Sequence, residues 1–297
     1  MDTIKDISII FISIFFESMP FLLLGSLISS IIENYVSDEA MTKIIPKNKI
    51  LGSIVGVFLG FFLPACDCAV IPVSKRLLKK KVPINVAISF MLASPIINPV
   101  VLFSTYSAFY KSNPEIFWYR LLFGILISLI IGIIMGVIFN NKDVVTNNID
   151  ECDCEHCHHI HSTKNRIIGI FKHTAFDFFE VVKYLMFGAL LASIIQVLLP
   201  RNILEVFNSN NILGIIALMI FAYLISLCST SDSFVGKSLL SSFSKSSVVA
   251  YLLLGPMIDI KNTIVLLGNY KKNFVITLIS LIFVIIFITS LMVVNIL

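Results

Sequence analysis

Three thiols and four imidazoles fall within ten residues, in Cys152-Asp153-Cys154-Glu155-His156-Cys157-His158-His159-Ile160-His161. Cys154 and Cys157 have the C-x2-C spacing of tetrahedral sites, and Cys152, His156, His158, His159 and His161 add soft and borderline donors around them. Such a tract is expected to bind Zn or Cu, either as a structural site or as a loop that senses, buffers or delivers an ion. Asp150, Glu151, Asp153 and Glu155 make it acidic, and Asn140-Asn141, Asn147-Asn148 and Ser162-Thr163 flank it as linker.

The other three cysteines sit inside apolar sequence. Pro64-Ala65-Cys66-Asp67-Cys68-Ala69-Val70-Ile71-Pro72 places two thiols and a carboxylate between prolines that each remove a backbone donor. Leu227-Cys228-Ser229-Thr230-Ser231-Asp232-Ser233 places a thiol, hydroxyls and a carboxylate in a similar run. Irregular backbone at membrane depth is tolerated where it is buried or lines a wet cavity, and ionisable groups there point to function. Thiolates select soft ions, with the neighbouring carboxylates carrying charge or a proton. In the plainer alternative, Asp67 and Asp232 cap half-helices and the cysteines merely pack.

Two further interruptions follow, Ala93-Ser94-Pro95-Ile96-Ile97-Asn98-Pro99 and Gly255-Pro256-Met257-Ile258-Asp259. In each, a proline with a small neighbour precedes Asn98 or Asp259 by three residues. Broken helices at corresponding points of a repeat mark a transporter's site, although a proline kink explains the same pattern. Glu17 and Glu180 each follow two phenylalanines in a long apolar stretch, which suits either proton coupling or an inter-helix hydrogen bond.

These pairs arise because the chain contains itself twice. Phe15-Phe16-Glu17 returns as Phe178-Phe179-Glu180, Gly25-Ser26-Leu27 as Gly188-Ala189-Leu190, Cys66 as Cys228, Lys75 as Lys237, and Leu77-Leu78 as Leu239-Leu240, at an offset near 162 residues. With 57% hydrophobic and 13% charged residues among 297, and a mean hydropathy of +0.96, the chain is no ordinary soluble domain. Apolar stretches recur at roughly 7–32, 50–73, 84–108, 117–139, 171–199, 212–235, 247–269 and 274–296.

The expected fold is therefore an all-α polytopic membrane protein of about eight transmembrane helices in two repeated four-helix halves. Broken helices are expected near the repeat interface. The halves are 1–139 and 171–297, joined by a Cys/His-rich loop over 140–170. The net charge of +4 reads as basic membrane loops, with no nucleic-acid partner. The first stretch, with Asp2 and Asp6 around Lys5, reads as a retained anchor.

Lys75, Arg76, Lys79, Lys80 and Lys81 form the densest basic cluster and mark a cytoplasmic face. Setting Lys237 to Lys245 on the same face puts both termini and the 140–170 loop inside, and leaves Lys271 and Lys272 outside. Four spans per half imply parallel halves. A re-entrant segment in each half would invert them.

Gly236-Lys237-Ser238 looks like the end of a phosphate loop, but Ser231 stands where that loop needs glycine, and no enzyme activity is expected.

The motifs around Cys66, Cys68, Pro95, Asn98, Cys228, Asp232, Pro256 and Asp259 resemble the predicted permeases that include the ArsP organoarsenical exporters and YraQ-like proteins. The resemblance covers nearly the whole chain except the 140–165 loop. It implies efflux of a thiophilic metal or metalloid (organoarsenical, Cu or Zn), with Cys66, Cys68 and Cys228 as ligands. It also implies a second small membrane subunit in some members. Asp67 departs from the family's small residue or serine between the thiols. Asp67, Asn98, Asp232 and Asp259 would line the path and Glu17 or Glu180 carry protons. No further cofactor is called for. A metal sensor or scaffold built on the loop is one alternative reading, and a thiol oxidoreductase using Cys66 and Cys68 is another.

Overall fold

The computed structural model describes residues 2–35, 46, 48–62, 67–139, 144–146, 163–198 and 211–296, with no side-chain detail before Thr174 in the 163–198 stretch. Its helices are α1 (Asp2–Tyr35), α2 (Lys49–Phe62), α3 (Asp67–Lys79), α4 (Ile84–Ile97), α5 (Pro99–Phe109), α6 (Pro114–Ile138), α7 (Thr163–Leu198), α8 (Asn211–Ile225), α9 (Ser231–Leu239), α10 (Lys245–Met257), α11 (Ile260–Asn269) and α12 (Lys272–Ile296). Six elements of long, short, short, broken and long character are thus followed by six more in the same order. Cys66 and the Cys152–His161 cluster lie outside the described residues.

Among the described residues six helical stretches are long and apolar enough to cross a membrane: Thr3–Ile31, Ile84–Phe109, Pro114–Ile138, Thr174–Leu198, Lys245–Asn269 and Lys272–Val294. Two of these are broken. Pro95 and Pro256 each lie one turn before the break and cannot donate a backbone hydrogen bond. Asn98 then caps α5, its Oδ1 accepting from the Val100 N–H at 3.0 Å, and Asp259 caps α11 by accepting from the Asn262 N–H.

Helices α2 and α3 turn back on themselves. Gly52, Gly56 and Gly60 approach Asn85, Val86 and Ser94 in order, so α2 runs parallel to α4. The chain must reverse between them, and Ser74 in α3 meets Met91 in α4, 3.6 Å from hydroxyl to sulfur. At about 1.5 Å per residue, the 14 residues of α2 reach about 21 Å, short of a hydrocarbon core of about 30 Å. Helices α2 and α3 are therefore the two arms of a re-entrant hairpin. In the second half α8 and α9 repeat it: Gly236 and Asp232 of α9 face Leu252 and Gly255 of α10, an antiparallel register.

Three crossings and a hairpin per half invert the repeats, correcting the parallel arrangement expected from eight full spans. The contacts give the direction. Lys75 and Ser74, far along α3, meet Asn269 and Tyr270 at the end of α11, so α11 descends to the face where α2 starts. Helix α5 climbs away from that face, and its neighbour α6 begins at the opposite one, where Glu115 pairs with Lys245 at the start of α10 at 2.6 Å.

Two consequences follow for sidedness. Ile14 of α1 packs on Ala189 and Ala192 of α7, while Gly25 lies against Ala69 in α3 and Glu180 pairs with Lys75, so α1 and α7 are antiparallel. Among the described residues the start of α1 and the end of α12 thus lie away from the end of α6 and the start of α7, whereas four full spans per half would bring them to one face. Lys271 and Lys272 now join Lys49 and Lys79–Lys81 on one basic face, and the sequence's misplaced pair of lysines is accounted for.

Helices α4 and α10 are buried on nearly every side and pack on each other at the centre, which is why their apolar residues show no helical face.

Candidate functional site

The start of α3, the tip of the second hairpin and the start of α11 meet at mid-depth. There a cleft is lined by Glu17, Ser18 and Phe21 of α1, Asp67 and Cys68 at the start of α3, Ser226 and Cys228 of the second hairpin tip, and Lys261 in the first turn of α11. Repeat symmetry thus brings Asp67, Cys68 and Cys228 to one place from 160 positions apart or more.

Asp67 is 4% exposed, and one of its carboxylate oxygens makes no hydrogen bond. It stands at the N-terminus of α3, whose free N–H groups favour negative charge. Lys261, Asp259 and Asp232 are near enough to act on it electrostatically. Lys261 Nζ lies 3.6 Å from Asp259 Oδ2, and both side chains are fully or almost fully buried. Cys68 Sγ lies 3.9 Å from Ser18 Oγ, and Thr230 Oγ1 lies 3.4 Å from Cys228 Sγ. Neither thiol is in a disulfide. Ser226 takes a left-handed backbone conformation with φ of 50°, which turns the hairpin tip toward α11, and its hydroxyl accepts from the Lys261 N–H at 3.4 Å.

Asn98 and Asp232 are buried outside this cleft. Asp232 accepts from Tyr251 Oη at 3.0 Å, and its other oxygen lies against Gly255. Beside it is Arg120, a residue that reading by motif passed over. Arg120 is 1% exposed and donates to Thr105 Oγ1 and Ser233 Oγ, each at 2.7 Å, and to the Ser229 carbonyl at 3.2 Å. It ties α6 of the first repeat to the tip of the second hairpin. Its signal was in the sequence, as the one charge within the apolar stretch 117–139. Lys261, two residues after Asp259, carried the same signal.

Glu17 borders the cleft from the exposed side of α1, whereas Glu180 is held by Lys75 at 2.9 Å. Among the described residues no three His, Cys, Asp or Glu side chains are grouped closely enough to hold a metal ion. The cleft's chemistry is a mixture of thiol, carboxyl and ammonium groups in a low-dielectric setting.

Inverted repeats whose half-helices converge at mid-membrane define a membrane permease. The chain belongs to the predicted permease family ArsP_1, which matches residues 3–296. It is 40% identical over 285 residues to the UPF0718 protein YcgR of Bacillus subtilis, covering 96% of this chain and 95% of that protein. It is 39% identical over 268 residues to a Streptococcus mutans protein whose name proposes it as a subunit of a two-component membrane permease complex, covering 90% of this chain and 87% of that one. No solved structure matches the chain.

Proposed function

We propose that this permease is a secondary-active exporter of a thiophilic metal or metalloid and works as one subunit of a two-component complex. The observation that carries the reading is the meeting of Cys68, Cys228 and Asp67 at one mid-depth cleft. Two soft donors and a carboxylate with an unbonded oxygen suit a soft, electrophilic cargo such as a methylated trivalent arsenical, Cu(I) or Zn(II). Cys66, next to Asp67 in the chain, is the third expected ligand. Lys261 and Asp259 offer a compensating charge pair, so that cargo charge can enter and leave without stranding a carboxylate.

The basic face is assigned to the cytoplasm on the distribution of lysines. That assignment puts the Cys152–His161 tract inside, where it would collect Zn or Cu for the path, and puts both termini outside. The name of the Streptococcus mutans relative supports a second membrane subunit.

The test is cargo accumulation in a sensitised bacterial host expressing the wild type, Cys68→Ser/Cys228→Ser, or a deletion of 150–162. Each host is challenged with methylarsenite, Cu, Zn and Cd, with and without a genetically adjacent small membrane protein where one exists. Lower accumulation of one species, lost in the cysteine variant and kept in the deletion, supports export from the cleft. Unchanged accumulation of all four by well-expressed protein would sink the soft-cargo reading.

A further inference from the structure

The inverted repeats are not arranged symmetrically, and the departure lies in α1 and α7. The second arm of each hairpin packs on the second half of the opposite repeat's broken span, α3 on α11 and α9 on α5. These two seams are repeat equivalents and depart from the central cleft toward opposite faces. A symmetric molecule would also pack α7 on α9 and α1 on α5. Instead α1 packs on α3, α7 packs on α11, and the two pack on each other, so both flank the α3–α11 seam.

The charges follow the same asymmetry. At the flanked seam Lys75 of α3 pairs with Glu180 of α7. Their repeat counterparts are Lys237 of α9 and Glu17 of α1, placed by Leu77-Leu78 against Leu239-Leu240 and by Phe15-Phe16 against Phe178-Phe179. Complementary charges therefore stand at the repeat-equivalent positions of α9 and α1. In this structure they are apart: both residues are exposed, and neither is paired with a described residue. A glutamate at mid-span is costly to keep in an apolar setting without a function. Among the described residues no helix flanks the second seam as α1 and α7 flank the first, and Val100 and Phe103 of α5 are 59% and 74% exposed and Phe234 of α9 57%.

We propose that this structure is one of two states related by exchange of the repeats' roles. In the other state the α1–α7 pair flanks the α9–α5 seam, the Lys75–Glu180 pair is open, and Glu17 pairs with Lys237. The exchange covers the exposed face of α5 and α9 with α1 and α7. It also carries Glu17 from the cleft's edge to the opposite latch, so that one carboxylate serves the cargo path in one state and the closure in the next. Alternating access by rocking of one bundle against another has this form. The proposal rests on the permease reading but not on the identity of the cargo.

The test uses full-length protein in membranes and a bifunctional thiol reagent, with crosslinked peptides mapped by mass spectrometry to separate native cysteines from introduced ones. Glu17→Cys/Lys237→Cys is expected to crosslink, and adding Glu180→Gln is expected to raise the yield several-fold by weakening the first latch. Lys75→Cys/Glu180→Cys is expected to crosslink in competition with it. A full yield at the 75/180 pair with none at the 17/237 pair, with or without Glu180→Gln, would overturn the exchange. If the 17/237 variant does not fold, a second measurement decides. Lys237→Glu added to Lys75→Cys/Glu180→Cys should speed that pair's crosslinking several-fold, and adding Glu17→Lys should reverse the gain. No change in either direction also overturns the proposal. Cargo is absent from these experiments, so their outcome is independent of the soft-cargo reading.

Discussion

Lys75 Nζ lies 2.9 Å from Glu180 Oε1 and 3.0 Å from Asn269 Oδ1, with the two charged side chains only 10% and 13% exposed. One ammonium thereby joins the first hairpin to two helices of the second repeat. Desolvating two charges is costly, so the pair is weak evidence of net stability, but stranding one member costs about 3–5 kcal/mol.

Glu180→Leu is therefore expected to destabilise detergent-solubilised protein by about 3 kcal/mol. Lys75→Met/Glu180→Leu should recover most of that loss. Thermal unfolding followed by light scattering and tryptophan emission, from the single Trp118, measures both. A double variant no better than the single would show that Glu180 acts through something other than its charge.

Arg120 poses the same question at the other seam. Its guanidinium satisfies two hydroxyls and a carbonyl at once, a geometry that the point charge of lysine does not reproduce. Arg120→Lys is expected to reduce transport at least ~10-fold, a loss equivalent to about 1.4 kcal/mol. Arg120→Met should be worse, because it leaves Asp232 without its neighbouring cation, and Arg120→Met/Asp232→Asn should fold better than Arg120→Met alone. Expression and monodispersity in detergent read the folding effect, and vesicle flux reads transport.

The close contact of α2 with α4 gives a packing prediction. A Cβ at Gly56 would lie 2.4 Å from the Val86 carbonyl oxygen, which belongs to backbone and cannot swing aside. Gly56→Ala is expected to cost about 1–3 kcal/mol by overpacking, and to lower yield accordingly. At Gly214 the nearest atom is the Ser247 hydroxyl at 3.1 Å, a side chain that can rotate, so Gly214→Ala should be close to neutral. Equal losses at both glycines would mean that the first hairpin is held less tightly than its geometry implies.

Much of this was legible in the sequence, for physical reasons that vary by residue. Pro95 with Asn98, and Pro256 with Asp259, announce a break and a cap through local backbone chemistry alone, and both breaks are where the spacing places them. The convergence of Asp67 and Cys228 was legible only as repeat equivalence, since a repeat axis through the membrane centre brings equivalent breaks together. The reversal between α2 and α3 was not legible. An apolar run of the length of 50–73 satisfies a membrane span and a re-entrant hairpin equally, and the tertiary contacts of Gly52, Gly56 and Gly60 with α4 decide between them. From that one ambiguity came the expectation of parallel halves. Arg120 and Lys261 were missed because a single basic residue forms no motif, though its cost in an apolar stretch is itself a signal.

The inverted course of the chain also predicts sidedness. Lys79, Lys271 and the start of α7 share one face, while Lys5, Lys111 and Lys237 share the other. The proposed orientation has the first face in the cytoplasm, because basic residues in short loops resist translocation. Single cysteines replacing Lys271 and Lys111 in whole cells should therefore differ toward a membrane-impermeant maleimide: Lys111→Cys labels from outside, and Lys271→Cys labels only after permeabilisation. Native thiols are resolved by peptide mapping. Labelling of both from outside would contradict three crossings per half, because an odd number of crossings separates the two positions. The reverse pattern would keep the inverted fold and flip its orientation, moving the Cys152–His161 tract outside the cell and removing its part in gathering cytoplasmic metal.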